Sequence, residues 1–438
     1  MNKVIIIGGG AAGMMAGIML AEKGYQPVIY EKNDKLGRKL FITGKGRCNL
    51  TNNCSKEELF QNIVSNSKFM YSSIYGFDSE DAMRFFENLG LKLKTERGGR
   101  VFPASDHSSD VIGAMTTRLH RLGVEVHLNT EVLGLLTEDI DMNDSGENGL
   151  GENPGAKVNK KANPGKRITG ITVCDKDKKE HNVECDDVII ATGGVSYPLT
   201  GSTGDGIRWA KELGLAITEP RPALVPVVIR EKFCGDLMGL SLKNVRATFI
   251  AVHKKKDKEI YSDFGEMLFT HYGVSGPIIL SASSYIGKYL DANLRLRLDL
   301  KPALSEEQLD DRILRDFAAN INRQFRNSLD ELLPKRLIPV IIEQTGIDPY
   351  KKVNEVSKTE RQTLVKALKT FELHVDGLRD FNEAIITQGG VSVKEINPGD
   401  MTCKRVEGLR FIGEVIDVDA LTGGFNLQVA WSTAAALV

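Results

Sequence analysis

The stretch Asn2–Lys32, NKVIIIGGGAAGMMAGIMLAEKGYQPVIYEK, decides the fold. Its apolar run from Val4 to Ile7 has no polar alternation, the pattern of a parallel strand covered on both faces. Gly8, Gly10 and Gly13 follow at the G-x-G-x-x-G spacing. The first glycine permits a tight turn, the second lets backbone approach a pyrophosphate, and the third lets the next helix pack closely on the strand. That helix, through Met14, Met15, Ile18 and Met19, is expected to end near Gly24 as its C′ residue. A second strand, Pro27–Tyr30, delivers Glu31, whose carboxylate can accept both ribose hydroxyls of an adenosine. A glycine-rich turn alone has little specificity. Strand, helix and acid in this order make a dinucleotide-binding βαβ unit. An acid at position 31 disfavours NADP, whose 2′-phosphate it would repel, and does not separate FAD from NAD.

The chain has 438 residues, too many for one core, so two or three domains are expected. A net charge of -1 gives no global field favouring nucleic acid or anionic lipid. No apolar run approaches the roughly 18–20 residues that span a bilayer, and the N-terminal run stops at glycines rather than forming a signal peptide. Six scattered cysteines without CxxC pairs argue against zinc and against a disulfide framework. The expectation is a cytoplasmic, multidomain enzyme with no bound metal, no membrane association and no evident stable protein partner.

Three later segments bear on the cofactor. LNTEVLGLL (128–136) reads as a strand bringing Val132 beside the nucleotide, and DDVIIATGGVSYPLTGSTGDG (186–206) as a buried strand entering a second glycine turn. In GLRFIGEVIDVDALTGGFNLQVAWSTAAAL (408–437) a strand and an acidic turn precede Gly423-Gly424, which open a helix. A helix N-terminus there suits the partial negative charge at a flavin's N1–C2=O edge. With YEKNDKLGRKLFITGKGRCNLTN, LFTHYGVSGP and TQGGVSV, these motifs resemble, in order and over nearly the whole chain, the BaiN/RdsA-type (YhiN-like) flavoproteins, also labelled the aminoacetone oxidase family.

The resemblance implies an α/β fold in which a Rossmann-type FAD-binding domain is interrupted by a β-barrel-like domain carrying a helical insertion. It points to Gly8, Gly10, Ala12, Gly13, Glu31, Arg38, Lys39, Arg47, Val132, Thr192, Gly193, Gly413, Glu414, Asn426 and Leu427 for FAD. It places Glu31 on the adenosine ribose, Glu414 near the ribityl chain, and main-chain N–H groups around Asn426 on the flavin O2. The expected boundaries are 1–195 and 384–438 for the FAD domain, 196–300 and 372–383 for the β-rich substrate domain, and 301–371 for the insertion. Within the insertion, Ser305 and Gln308 form a capping box, and Leu309, Ile313, Leu314, Phe317 and Ile321 make one apolar stripe. The polar segment 141–167 reads as a mobile loop between two strands, and Lys254–Lys256 with Lys258 as a solvated hairpin tip.

The stretch LGRKLFITGKGRCNLTNNC (36–54) reads as a flap over the cofactor. Gly37, Arg38 and Lys39 address the diphosphate, and Gly44 to Asn49 bring Cys48 towards the isoalloxazine. Arg47 and Asn49 can bind a carbonyl or phosphate, or Arg47 can form a loop salt bridge. Cys48 and Cys54 are spaced C-x5-C, so a redox dithiol is one reading, a proton-donating Cys48 another, and a small packed residue a third. Tyr197, His271 and Tyr272 are the other candidate acids.

The function expected is reduction of a conjugated C=C bond by hydride from flavin N5. The resemblance offers uracil in ribosomal RNA, giving dihydrouridine, or a steroid-like enone. The alternatives are a flavin amine oxidase and a non-catalytic flavin-containing factor associated with RNA or the ribosome. One dinucleotide fingerprint is visible, so NAD(P)H, if it is the reductant, binds transiently.

Overall fold

The computed structural model describes residues 3–140, 165–252 and 256–438. The chain divides into two units, one of Met1–Arg221 with Ile386–Val438 and one of Pro222–Ile385.

In the first unit, strand β1 (Lys3–Ile7) is the centre of a five-stranded sheet. On one side lie β2 (Gln26–Tyr30) and Glu125–His127, and on the other Asp187–Ile190 and Leu409–Phe411. All four pairings are parallel. Both faces of β1 are covered, and Val4 to Ile7 are all buried, which is why no polar residue alternates with them. Helix α1 (Ala11–Glu22) joins β1 to β2 and buries Met14, Met15, Ile18 and Leu20. It stops at Lys23, and Gly24 follows in the left-handed region at φ 86°. The strand Glu131–Asp139 pairs antiparallel with Lys166–Cys174, with Val132 opposite Val173. Residues 141–164 of the polar segment between them, and Lys254 and Lys255 of the lysine cluster, lie outside the described residues.

The second unit is a closed barrel whose strands run in the order Val227–Ile229, Gly273–Ser275, Lys258–Thr270, Ser241–Val252, Asn293–Asp299 and Phe371–Leu378. Every pairing in it is antiparallel. Strand 293–299 shows how it is specified: Leu294, Leu296 and Leu298 are buried, while Arg295 and Arg297 alternate with them and pair with Glu372. The helices Glu306–Ala319, Ile338–Thr345 and Lys358–Lys369 are inserted between the last two strands. The first is capped as expected, with Gln308 N donating to Ser305 Oγ (3.1 Å) and Ser305 N to Gln308 Oε1 (3.0 Å). Its buried stripe is narrower than the sequence suggests. Leu309, Ile313 and Phe317 are buried, each worth about 1.5–3 kcal/mol of transfer free energy. Leu314 stands one residue, about 100°, round the helix from Ile313, and Ile321 lies past its end, so both are exposed.

Two boundaries are corrected. Residues 196–221 belong to the first unit, not to the β-rich one. Thr387 Oγ1 accepts from Val195 N (2.8 Å) and Ser196 N (3.0 Å), and Ile207, Trp209 and Ala210 enter the first unit's core. The return to that unit comes at Ile386 rather than 384. Just beyond it, Gly389 (φ 95°) lies so close to the outgoing chain that a Cβ would stand 2.7 Å from the Glu219 carbonyl oxygen. Among the described residues no helix is long and apolar enough to cross a membrane.

Candidate functional site

The β1–α1 turn is a cradle defined by what is missing. At Gly8 (φ 105°) a Cβ would stand 2.6 Å from the Ala191 carbonyl oxygen, and at Gly13 one would stand 1.9 Å from that of Gly8. These two glycines let the helix and the neighbouring strand close on the turn. Gly10 differs, because a Cβ there would meet nothing within 4 Å. It is the N-cap of α1 and the helix has no side-chain cap, so its first N–H groups have no side-chain acceptor at this open position. That is the geometry a diphosphate requires.

Glu31, at the end of β2, is buried and accepts from Gly9 N (2.7 Å) and from Asn33 N (2.8 Å). Oε1 also accepts from Asn33 Nδ2 (2.6 Å), so the carboxylate is turned back over the turn with its free acceptor capacity on Oε2. Thr130 N donates to the Glu31 carbonyl (3.1 Å), which brings the start of the strand bearing Val132 beside this acid. Arg38 donates to Asn33 Oδ1 (3.0 Å) and pairs with Asp34.

A second node joins four distant segments. Lys39 Nζ donates to Glu414 Oε2 and to Ser196 Oγ, both at 2.5 Å. Glu414 Oε1 accepts from Ser196 Oγ (2.9 Å) and from Thr387 N (2.8 Å). Lys39, assigned to the diphosphate from the sequence, thus holds the carboxylate assigned to the ribityl chain. Gly193 (φ 71°) borders the node, with Thr192 before it, and a Cβ on Gly193 would stand 4.0 Å from Glu414 Oε2. Gly413 (φ 70°) packs on Ala12, tying the last motif to α1.

The C-terminal helix (Phe425–Ala435) opens at Gly424, where a Cβ would stand 2.4 Å from the Thr51 carbonyl oxygen. Its N-terminus also lacks a side-chain cap. Asn426 uses its side chain elsewhere: Oδ1 accepts from Ala420 N (2.9 Å) and Nδ2 donates to Ala420 O (2.7 Å). The preceding turn is thereby clasped to the helix, Leu427 following in the first turn. Within that turn Asp419 is buried, its Oδ2 accepting from Gln388 Nε2 (3.0 Å). Burial pushes its carboxyl up to about 6.

The flap is tightly wound. Gly44, Lys45, Gly46 and Cys48 all have positive φ, which is strained for Lys45 and Cys48, and Cys48 N donates to Thr43 O (3.0 Å). This turns the Cys48 side chain into the first unit's apolar core, fully buried, and burial pushes its thiol up to about 12. All six cysteines are free, so Cys48 and Cys54 form no disulfide here. Arg47, read either for the cofactor or for a loop salt bridge, forms the salt bridge: it bonds Glu96, donates from Nε to Asp106 (2.7 Å), and lies 4.1 Å over the Phe102 ring. Its hydrogen bond holds Glu96 below the usual carboxylate range, and Lys94 followed by Arg47 does the same for Asp106. The flap is braced by these pairs. Asn49 Oδ1 is buried without a hydrogen-bond partner among the described residues.

Tyr197 lies in the first unit in the left-handed region (φ 52°). His271 and Tyr272 belong to the second unit. His271 is exposed with its ring edge-on to Tyr272, 4.6 Å between centroids. Tyr272 donates its hydroxyl to Glu383 Oε2 (2.9 Å) and carries the Arg379 guanidinium 4.5 Å over its ring. Burial, then that bond to Glu383, pushes its phenol up.

Ser196, Thr387, Asn33 and Asp419 are the site residues that sequence reasoning missed. Ser196 and Thr387 lie inside quoted motifs, GGVSYP and TQGG, and a polar residue embedded in each glycine turn was the available signal.

Two models of one family match the chain: the HI0933-like protein Rossmann domain over residues 2–150, and the HI0933-like protein barrel and H2TH domain over residues 221–386. The chain belongs to the HI0933-like family. Membership makes it an FAD-dependent oxidoreductase, and the cradle, the Glu31 carboxylate and the two uncapped helix N-termini fit that cofactor. Over 432 residues the chain is 28% identical to the ribosomal RNA dihydrouridine synthase of Escherichia coli (strain K12), covering 98% of this chain and 95% of that protein. It is 29% identical to the ribosomal RNA dihydrouridine synthase of Haemophilus influenzae, over 98% and 96% of the two chains. A 3-dehydro-bile acid delta(4,6)-reductase of Clostridium scindens is 27% identical, over 99% and 97%.

Proposed function

We propose that the protein reduces the C=C bond of a uracil in ribosomal RNA to give dihydrouridine, with a nicotinamide nucleotide as the ultimate electron donor. The observation that carries this reading is the likeness to two ribosomal RNA dihydrouridine synthases across 98% of the chain, barrel and helices included. A uracil and an enone present the same reacting unit, a C=C bond conjugated to a carbonyl.

A bound FAD, once reduced by the nicotinamide donor, would supply hydride to the carbon remote from that carbonyl. The rest falls to the chain. The Gly8–Gly13 turn and the head of α1 bind the diphosphate, Glu31 the adenosine ribose, and the Lys39–Glu414–Ser196 node orients the ribityl chain. The uncapped head of the C-terminal helix holds the flavin's O2 edge. A proton must reach the carbon next to the carbonyl, and we assign its delivery to the His271 ring. Cys48 is enclosed with its thiol pushed up to about 12, and the Tyr272 hydroxyl is engaged by Glu383. His271 is exposed, so water can return the proton to its ring after transfer.

The test combines anaerobic stopped-flow with NADH, NADPH and amines with nucleoside mass spectrometry of rRNA from a deletion strain. The expected result is flavin reduction by a nicotinamide donor and loss of one dihydrouridine. An unchanged rRNA profile sinks the RNA reading, reduction by an amine supports the oxidase instead, and a flavin that no donor reduces supports a non-catalytic factor.

A further inference from the structure

Phe60, Tyr71 and Tyr75 form an aromatic cluster in the first unit that the cofactor site does not use. Tyr71 and Tyr75 are one turn apart on the helix Tyr71–Gly76, and their rings stack with centroids 4.4 Å apart and 25° between planes. Phe60, on the helix Lys56–Gln61, stacks with both at 5.7 and 6.2 Å. Lys56 Nζ lies 4.9 Å from the Tyr75 ring centroid. Packing does not account for the pair, because Ile74 and Ser73 anchor that helix in the core while Tyr71 is 59% and Tyr75 47% exposed. Two large rings, fixed against each other, are presented to solvent.

Their position ties them to the flavin end of the cradle. Leu421 N donates to Asn62 O (2.9 Å), Val64 N to Asp419 O (2.8 Å), and Asn66 Nδ2 to Asp417 O (2.6 Å). Ile63 and Ala420 form a β-bridge. The segment that joins the ring-bearing helices is therefore bonded to the turn that Asn426 clasps at the head of the C-terminal helix. A cavity of about 380 Å³, lined by Asn66, Ser67, Lys68, Phe69 and Val393, lies along this segment.

We propose that Phe60, Tyr71 and Tyr75 are a stacking platform for single-stranded RNA and receive a base flanking the uridine that is reduced. The inference rests on the RNA reading above. A uracil inside a helix is unreachable for hydride transfer, so the target and its neighbours must leave the stack, and unstacked bases are taken up on aromatic faces. Lys68 offers a cation to the strand, whereas Lys56 is paired with Asp78 at 3.0 Å. Glu57, Glu58 and Asp78 keep the local charge from being strongly positive, so stacking carries the affinity and its salt dependence is shallow.

The experiment uses the full-length FAD-loaded protein, a fluorescein-labelled oligouridylate read by anisotropy, and dihydrouridine formation on rRNA. Tyr71→Ala with Tyr75→Ala should weaken oligonucleotide binding about 5- to 100-fold and raise KM for rRNA with little change in kcat. FAD content and flavin reduction by the nicotinamide donor should stay at wild-type values, which excludes misfolding. Tyr71→Phe with Tyr75→Phe, which keeps the rings, should bind like wild type. Equal binding and equal KM in the alanine variant, while the wild type still makes dihydrouridine, overturns the platform and leaves the RNA reading intact. A wild type that neither binds the oligonucleotide nor modifies rRNA overturns both.

Discussion

At Gly13 one added carbon would stand 1.9 Å from a backbone oxygen, while at Leu296 the wall of the barrel is a side chain with no exposed surface. The first unit shapes its cradle by omitting side chains so that backbone can approach backbone and ligand. The second shapes its barrel by filling it, with leucines alternating against arginines along Asn293–Asp299. The first kind of specification tolerates no atom more, and the second none fewer. A site built by omission also leaves its signature in fixed spacings, whereas a packed wall leaves only a period.

The sharpest test sets two glycines of one turn against each other. Gly13→Ala forces a carbon into the Gly8 carbonyl and should cost more than about 4 kcal/mol, leaving a protein without FAD and largely unfolded by circular dichroism. Gly10→Ala meets no protein atom, so it should fold with an unchanged melting temperature in the apo form and lose FAD affinity at least about tenfold by flavin fluorescence titration. Equal behaviour of the two would break the assignment of Gly10 to the ligand. In the barrel, Leu296→Ala should destabilise by about 2–5 kcal/mol in urea denaturation while the native protein keeps its flavin.

Asp419 gives a smaller, pH-dependent effect. Its folded carboxyl is raised to about 6, above the ordinary carboxylate value of roughly 4, so the folded chain holds this proton more tightly than the unfolded one. The contribution is fully present below about pH 4 and is lost as pH rises through about 6. Asp419→Asn should flatten that decline and stabilise the protein by on the order of 2 kcal/mol at about pH 7.5, read as urea midpoints across the range. A decline that persists in the variant belongs to other groups. Smallest is Cys48→Ala: with the thiol enclosed, about 1 kcal/mol of stability should go and turnover should remain. Flavin that is still reduced but no longer passes hydride to product would instead make Cys48 the proton donor.

How far the molecule was legible follows the same divide. Gly8, Gly13 and Gly424 are where backbones meet, and each could be read because only glycine fits. The barrel was legible as a class from its recurring β runs, but its edge with the first unit was not, since Ser196 is held by Thr387, distant in sequence. Lys39 and Arg47 were read by their charge. Their protein partners, Glu414 and the pair Glu96 and Asp106, come from folding that no local spacing encodes. For Cys48 the motif left a dithiol, a proton donor and a small packed residue open, and the left-handed backbone at that residue turns the thiol into the core. Asp419 looked like one acid of a turn, and only burial distinguishes it from Asp417.

The contact of Gly389 with the Glu219 carbonyl carries a consequence for how such a chain is assembled. The points where the chain leaves the first unit and where it re-enters are neighbours in space, although the whole second unit separates them in sequence. To the host, that insertion is topologically a long hairpin loop, and lengthening a loop costs only logarithmically in closure entropy. At such a point a host fold can accept or elaborate an insertion without disturbing a single strand of the parallel sheet. One scaffold can thus serve relatives named for substrates as unlike as ribosomal RNA and a bile acid.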